Sequence, residues 1–328
     1  MKSLANYALK NGGSIHPLII PSELTGGTGL MNPSIFLDGD KILVNLRHVN
    51  YTLYHSEAKT FQHPWGPLTY LHPENDMHLR TTNYYCELND KFEISRLNKI
   101  DTSKFDTYEP QWDFVGLEDA RIVRWDNRLY ISGVRRDTTT NGQGRMELSE
   151  IIVTDATVQE VSRFRIPPPN DLNSYCEKNW MPILDLPYHY VKWSNPTEVV
   201  SVDPIKQSSK TELLSNSIPL PRDLRGGTQI LAFGDCRIAI THEVELFKSP
   251  VGRKDALYKH RIIVWDKNWN IVKHTDDFTI MDAHIEFAIG MCEYKNDILI
   301  TFGFQDNAAY LLKMPLSSFK NYILENSK

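Results

Sequence analysis

Short runs of alternating apolar and polar residues, each led by a polar turn, recur along this chain. They begin at Asp38-Gly39-Asp40-Lys41, Asp126-Asn127, Gly234-Asp235 and Lys295-Asn296-Asp297, and more weakly at Tyr188-His189, and they close on Arg47, Gly133, His242, Gly303 and Trp193 respectively. Second hairpins of similar make lie between them, such as residues 84–94 around Asn89-Asp90 and residues 260–272 around Asp266-Lys267-Asn268. Successive strand side chains face opposite sides of a sheet, so a period of two with Asp, Asn and Gly at the turns and Ile, Val, Tyr and Trp in the runs predicts antiparallel β-structure. The one stretch with helical spacing is residues 316–326. Residues 201–224, with Pro204, Lys206, Ser208, Ser209, Ser215, Asn216, Pro219 and Pro221, read as a loop near the mouth of the fold. Five hairpin units match the blade count of an all-β, five-bladed β-propeller, with a long-looped β-sandwich as the alternative. The expected organisation is one propeller over residues 1–328, with a short C-terminal helix at 316–326.

The propeller reading gives the polar residues an order. Each blade's innermost strand points one end at the central funnel, so polar residues flanking those strands converge from distant positions. Five segments qualify, one ahead of each turn: Asn32-Pro33; Glu118-Asp119-Ala120-Arg121 within 116–121; Glu177-Lys178-Asn179-Trp180; Arg225-Gly226-Gly227-Thr228-Gln229; and His284-Ile285-Glu286-Phe287. A carboxylate beside a guanidinium on rigid strands can hold a polar substrate and fix a protonation state. Asp119 and Arg121 also admit a plainer reading as a structural ion pair on one strand face. His242 could be a satisfied core histidine, and Lys178 could simply pack its stem on Trp180. Glu286 sits in an apolar run where an unpaired carboxylate would be costly, so it is either paired or functional. Arg135 and Arg136, at the end of the second unit's strand, could add cations to an anion pocket.

Composition narrows the field. The 328 residues carry a formal net charge of −5 with no lysine or arginine run, so nothing supports nucleic-acid binding. Cys86, Cys176, Cys236 and Cys292 are far apart and show no metal-ligand spacing. There is no Rossmann glycine motif and no Asp-x-Asp metal site, so no cofactor is expected. No stretch has the apolar length of a signal peptide or a membrane helix, which makes a cytoplasmic, membrane-free protein the default expectation.

Taken together, these residues resemble the five-bladed propeller enzymes of glycoside hydrolase family 130, the β-mannoside phosphorylases and related mannosyltransferases. The resemblance runs over residues 32–315 through Asn32-Pro33, Arg47, Gly-Leu-Glu-Asp-Ala-Arg at 116–121, Lys178-Asn179, His242, Tyr258, residues 285–290, Gly303 and Asp306. Alanine stands at 120 where the family has proline, and Thr241-His242-Glu243 stands for Tyr-His-Gly. The resemblance implies that Asp119 is the proton donor. It also implies that Arg47, Arg121 and Lys178 bind sugar hydroxyls and phosphate with His242 nearby, and that Asn32, Glu118, Asn179, Tyr258 and Asp306 complete the substrate site. The expected partner is a carbohydrate together with phosphate or a sugar phosphate. Such chemistry needs an acid for the leaving oxygen and, when phosphate is the nucleophile, cations rather than a second carboxylate. A hydrolase would need a base, for which Glu286 and Glu243 are the candidates, with Glu286 the second catalytic residue. A non-catalytic sugar-binding propeller is the remaining alternative.

Overall fold

The computed structural model describes residues 2–26, 29–51, 76, 78–215, 218, 220, 224–248 and 254–328. Among these, the strands form five antiparallel meanders. Blade 1 comprises Leu30–Asp38, Lys41–Val49, Leu79–Leu88 and Ile94–Asp101; blade 2 comprises Glu118–Trp125, Arg128–Arg135, Arg145–Val153 and Val158–Arg165. Blade 3 is Met181–Pro182, His189–Ser194, Thr197–Asp203 and Ser208–Ser215, and blade 4 is Leu231–Phe233, Cys236–Lys248, Lys254–Trp265 and Ile271–His274. Blade 5 takes Glu286–Tyr294, Asp297–Phe304 and Ala308–Pro315 from the end of the chain, and its outermost strand, Ser14–Pro17, from the beginning. That pairing ties the two ends together and closes the ring, which removes the open sheet edges a five-blade array would otherwise leave.

All five turns that head the sequence pattern join the first and second strands of a blade. Each carries a residue in the left-handed region: Gly39, Asp126 with Asn127, Tyr188, Gly234 and Lys295. Tight turns that match the right-handed twist of a hairpin need that conformation. Inner strands are pinned across the axis by side chains. The amide of Ile122 donates to Ser34 Oγ at 3.0 Å, Gln229 Nε2 donates to the Ile35 carbonyl, and Gln229 Oε1 accepts from the amide of Met291. The core lies between blades as aromatic and aliphatic layers, for example Trp125 against Tyr188 and Tyr190 between blades 2 and 3.

The helix expected at the C-terminus is present as Leu316–Asn326, burying Phe319, Tyr322 and Ile323 on one face. It packs edge-on through Tyr322 against Tyr7 of a first helix, Leu4–Lys10, that the sequence pattern did not disclose. The stretch read as a loop at 201–224 is corrected in large part: Thr197–Asp203 and Ser208–Ser215 are the outer hairpin of blade 3, turning at 204–207. The prolines and serines of that stretch weakened the alternation, although Lys210 through Leu214 keep it. Asn216, Pro219 and Pro221 lie outside the described residues. No helix in the described residues is long and apolar enough to cross a membrane.

Candidate active site

The inner strands of blades 1 and 2 each break register at the funnel, between Met31 and Ser34 and between Glu118 and Arg121. Asn32 and Asp119 occupy these bulges with φ of 47° and 51°, and Asn179 ahead of blade 3 repeats the conformation at 61°. Asn and Asp tolerate the left-handed region better than other side-chain-bearing residues, and a bulge re-aims the side chain it carries. The same backbone device thus delivers Asn32, Asp119 and Asn179 from three blades.

Asp119 is at the centre of this cluster and is buried. Its Oδ1 accepts from Arg47 Nη1 and Asn32 Nδ2, both at 2.7 Å. Arg121 does not pair with the Asp119 carboxylate. Its Nη1 donates to the Asp119 carbonyl at 2.7 Å and to Asn179 Oδ1 at 3.3 Å, while Nε and Nη2 both donate to the carbonyl of Gly227 in blade 4. Gly227 is required there because a Cβ would run into the carbonyls of Ile240 and Ala288. Burial alone would raise the Asp119 carboxyl, but Arg47, then Lys178 and Arg121, and the Asn32 amide outweigh it and hold it at about 2. Arg121, pulled down by burial to about 10, is still cationic at neutral pH. Asp306, in the left-handed turn after Asp297–Phe304, behaves oppositely: burial pushes it up to about 6, opposed by Arg47 and reinforced by the Asp119 charge.

The remaining wall comes from blades 3, 4 and 5. Lys178 is exposed, and its charge is felt by Asp119, Asp306 and His242. The lysine over the Trp180 ring is Lys192, at 5.5 Å, not Lys178. His242 lies parallel to Tyr258 at 5.6 Å and against Phe287 at 4.6 Å. Burial, followed by His260, Lys178, Arg225 and Arg121, holds its pKa well below the ordinary value, so the ring is neutral and uncharged toward any anion beside it. The Arg121 guanidinium sits over Phe287 at 5.6 Å.

The structure brings together Asn32, Arg47, Glu118, Asp119, Arg121, Lys178, Asn179, His242, Tyr258 and Asp306. It moves three others to different duties. Glu286, expected as a second catalytic residue, is fully buried and turned to the face opposite Phe287. Its carboxylate accepts from the amides of Ile280 and Met281 at 2.6 Å and of Ala283 at 3.1 Å, so it folds the 280–283 loop. Arg135, expected in the anion pocket, is enclosed by Glu147 at 2.8 Å, Asp137 at 3.3 Å and Asp106 at 3.4 Å. Arg136 faces Glu118 at 3.6 Å and donates to the Gly142 carbonyl and Cys176 Sγ. Glu118 in turn reaches Arg47 at 3.6 Å, so it links the two arginines.

Sequence reasoning missed the supports of this cluster. Asn45 Nδ2 donates to the Ala120 carbonyl and to Asn83 Oδ1, Asn83 Nδ2 donates to the Leu117 carbonyl, and Asp137 accepts from the amide of Gly116. Thr81 and Tyr51 hold the far side of Arg47. Buried asparagines inside strand patterns were the available signal, since such amides stay buried only when bonded. Among the described residues, no group of three or more His, Cys, Asp and Glu is placed to hold a metal ion.

No protein-family model matches the sequence, and no curated protein matches it. Solved structures do. A β-1,2-mannobiose phosphorylase from Listeria innocua, solved with β-1,2-mannobiose, superposes with a TM-score of 0.55 at 12% identity over 95% of this chain and 97% of its own. A mannose phosphorylase from Leishmania mexicana, solved with a phosphate ion, gives 0.50 at 13% over 97% and 93%. A structure from work describing glycoside hydrolases within family GH130 that target β-1,2 mannosidic linkages in Candida mannan gives 0.55 at 13% over 87% and 84%. At these identities the likeness is one of architecture: the chain has the fold of the mannoside phosphorylases and hydrolases of family GH130.

Proposed function

We propose that this protein makes and breaks a glycosidic bond with phosphate as the exchanging partner, as a glycoside phosphorylase that also transfers from a sugar 1-phosphate, and that Asp119 carries the proton. The observation behind this is the charge around Asp119: a carboxylate gripped by Arg47 and Asn32, in the field of Lys178 and Arg121, with a neutral His242 among the same cations. In cleavage, Asp119 gives its proton to the leaving oxygen as a phosphate oxygen bonds to the anomeric carbon from the other side. The products are a sugar 1-phosphate and a free hydroxyl. In synthesis the same steps reverse, and Asp119 takes the proton of the acceptor hydroxyl.

A carboxyl held at about 2 is ionised in the empty site, the protonation state that the base role in synthesis requires. For cleavage it must first gain a proton. A phosphate dianion beside Lys178 and Arg121 favours that, because it cancels the cations that keep Asp119 ionised. The solved relatives named as acting on or binding β-1,2-mannobiose, mannose and phosphate support mannose as the sugar to test first. The test is phosphate release from mannose 1-phosphate with a panel of sugar acceptors, and its reversal with phosphate and β-1,2-mannobiose. No turnover in either direction, or turnover independent of phosphate, removes the phosphorylase reading.

Hydrolysis is the second reading, favoured by one observation. Asp306 is a second carboxyl within the field of Arg47 and Asp119, and above pH 6 it is ionised and able to activate water. Sugar release without phosphate, lost in Asp306→Asn, would select it. Glu286 is not available for that role, because both its oxygens are bonded to amides.

A further inference from the structure

Between blades 3 and 4, beside Asn179, lies a cavity of about 210 Å³ walled by Lys178, Asn179, Lys192, Trp193 and Arg225. At about 30 Å³ per water, it has room for roughly seven waters or one compact polar ligand. It adjoins the Asp119 cluster through Asn179, which lines the cavity and is also a partner of Arg121.

Its charge is not balanced. Glu177 is the acid of this wall, and its carboxylate is already engaged by Ser174, by Trp180 Nε1 and by Lys192 at 3.3 Å. Lys192 is therefore neutralised and buried. Lys178 and Arg225 are exposed, and among the described residues neither has a carboxylate within ion-pair distance. Arg225 is fixed at the backbone by paired hydrogen bonds with His242 in the strand Cys236–Lys248. Trp193 lines the same cavity and is 44% exposed. Two unmatched cations and an open indole complement a ligand that is dianionic at one end and has an apolar face at the other.

We propose that this cavity is the acceptor-side subsite and takes a phosphorylated monosaccharide, with Arg225 and Lys178 binding the phosphoryl group and Trp193 covering the apolar C–H face of the sugar. A guanidinium suits a phosphoryl group because its paired N–H donors match two oxygens at once. An indole supplies apolar area at low entropic cost. The term acceptor rests on the reading of Asp119 above; the phosphosugar site itself does not. Lys178 borders both this cavity and the Asp119 cluster, so Arg225 and Trp193 are the residues that distinguish the phosphosugar from the phosphate exchanged at the anomeric carbon, and the two sources separate experimentally.

The experiment is titration calorimetry at fixed ionic strength with mannose 6-phosphate, mannose 1-phosphate, mannose and inorganic phosphate, on the wild type, Arg225→Ala and Trp193→Ala. Mannose 6-phosphate is expected to bind at least about tenfold more tightly than mannose or inorganic phosphate. Arg225→Ala should weaken it by about 10- to 100-fold, the worth of a charged hydrogen-bonded contact. Trp193→Ala should bring it down to the level of inorganic phosphate and leave inorganic phosphate and mannose 1-phosphate binding as they were. Wild-type binding of mannose 6-phosphate no tighter than inorganic phosphate, or unchanged binding in either variant, overturns the subsite. If that happens while mannose 1-phosphate still turns over through Asp119, the proposed function survives alone. Tight mannose 6-phosphate binding through Arg225 and Trp193, with no turnover in any direction, leaves the subsite standing and removes the Asp119 reading.

Discussion

Arg47 and Arg135 look alike in the sequence. Each lies near the end of the second strand of its blade, in neighbouring blades, and each is buried beside residues 116–121. Their surroundings differ. Arg135 meets Glu147, Asp137 and Asp106, and Arg163 and Arg165 close the same network from outside, so every charge there is answered. Arg47 has Asp119 at 2.7 Å, a share of Glu118 and the field of Asp306, in a region that also holds Arg121, Lys178 and Arg136, four cations against three carboxyls. The balanced cluster anchors that segment, since Asp137 binds the Gly116 amide. The unbalanced cluster has cationic charge left over for a ligand. Burial and residue type do not separate an arginine that braces from one that binds; the local tally of acids does.

The largest effect should come from the centre of the unbalanced cluster. Asp119→Asn keeps the shape and an acceptor oxygen for Arg47 but cannot exchange a proton, so turnover with mannose 1-phosphate should fall about 10²- to 10⁴-fold. Stability should drop by only about 1–3 kcal/mol, the scale of a hydrogen bond to a charged group. Near-normal turnover across the pH range would make the Asp119–Arg47 pair a second brace and dissolve the contrast.

The balanced cluster should respond in the other currency. Arg135→Met leaves Glu147 and Asp137 buried without their cation and should cost about 3–5 kcal/mol in chemical denaturation. Phosphate affinity of the folded fraction should stay unchanged. If phosphate affinity fell while the denaturation midpoint held, Arg135 would belong to the ligand after all.

Anion linkage comes next in size. At 100 times its dissociation constant, phosphate should stabilise the wild type by about 2.7 kcal/mol, since it binds only the folded state. Against chloride at matched ionic strength, that shift should largely vanish in Lys178→Ala, whose exposed side chain should leave the ligand-free midpoint in place. A wild-type midpoint indifferent to phosphate would remove the phosphorylase reading and promote the hydrolase.

Much of this arrangement was legible in the sequence because propeller blades write themselves as period-two runs with polar turns. All five expected turns fall at the first hairpin of a blade, and the Asn32, Asp119 and Asn179 segments do converge. Two kinds of information were not local. Ser14–Pro17 is too short and too close to a proline to show alternation, and it becomes a strand only because blade 5 lacks an outer partner. Glu286 was read as either paired or functional, and Arg135 as a cation for the anion pocket; both turn out to be paired within the fold. Which partner each found depends on strand face and on residues up to 29 positions away, as the separation of Arg135 from Asp106 shows by difference of their numbers. The Asn45–Asn83 pair of blade 1, whose amides reach the Ala120 and Leu117 carbonyls, was invisible for the same reason.

The smallest predicted effect tests the two carboxyls of the unbalanced cluster against each other through pH. Asp119 is depressed to about 2, so its stabilising contribution is present above its unfolded value near 4 and is lost as pH falls toward 2. Asp306 is raised to about 6, so the sign reverses. The folded state holds that proton more tightly than the unfolded chain. Its contribution is full below about pH 4 and is lost as pH rises through 6, which leaves the ionised Asp306 as a liability at pH 8. Two pH units would correspond to about 3 kcal/mol. Asp306 is partly open to solvent, which screens its interactions, so about 1–2 kcal/mol is expected. Asp306→Asn should therefore be more stable than the wild type at pH 8, and the gain should fall to about half near pH 5, midway between the unfolded and folded values, and all but vanish below about pH 4. Thermal denaturation of the two proteins across that range measures the difference directly. A difference independent of pH would mean that Asp306 does not titrate in this window and that Arg47 serves both carboxylates alike, which would erase the division of protonation states on which the base role for Asp306 depends.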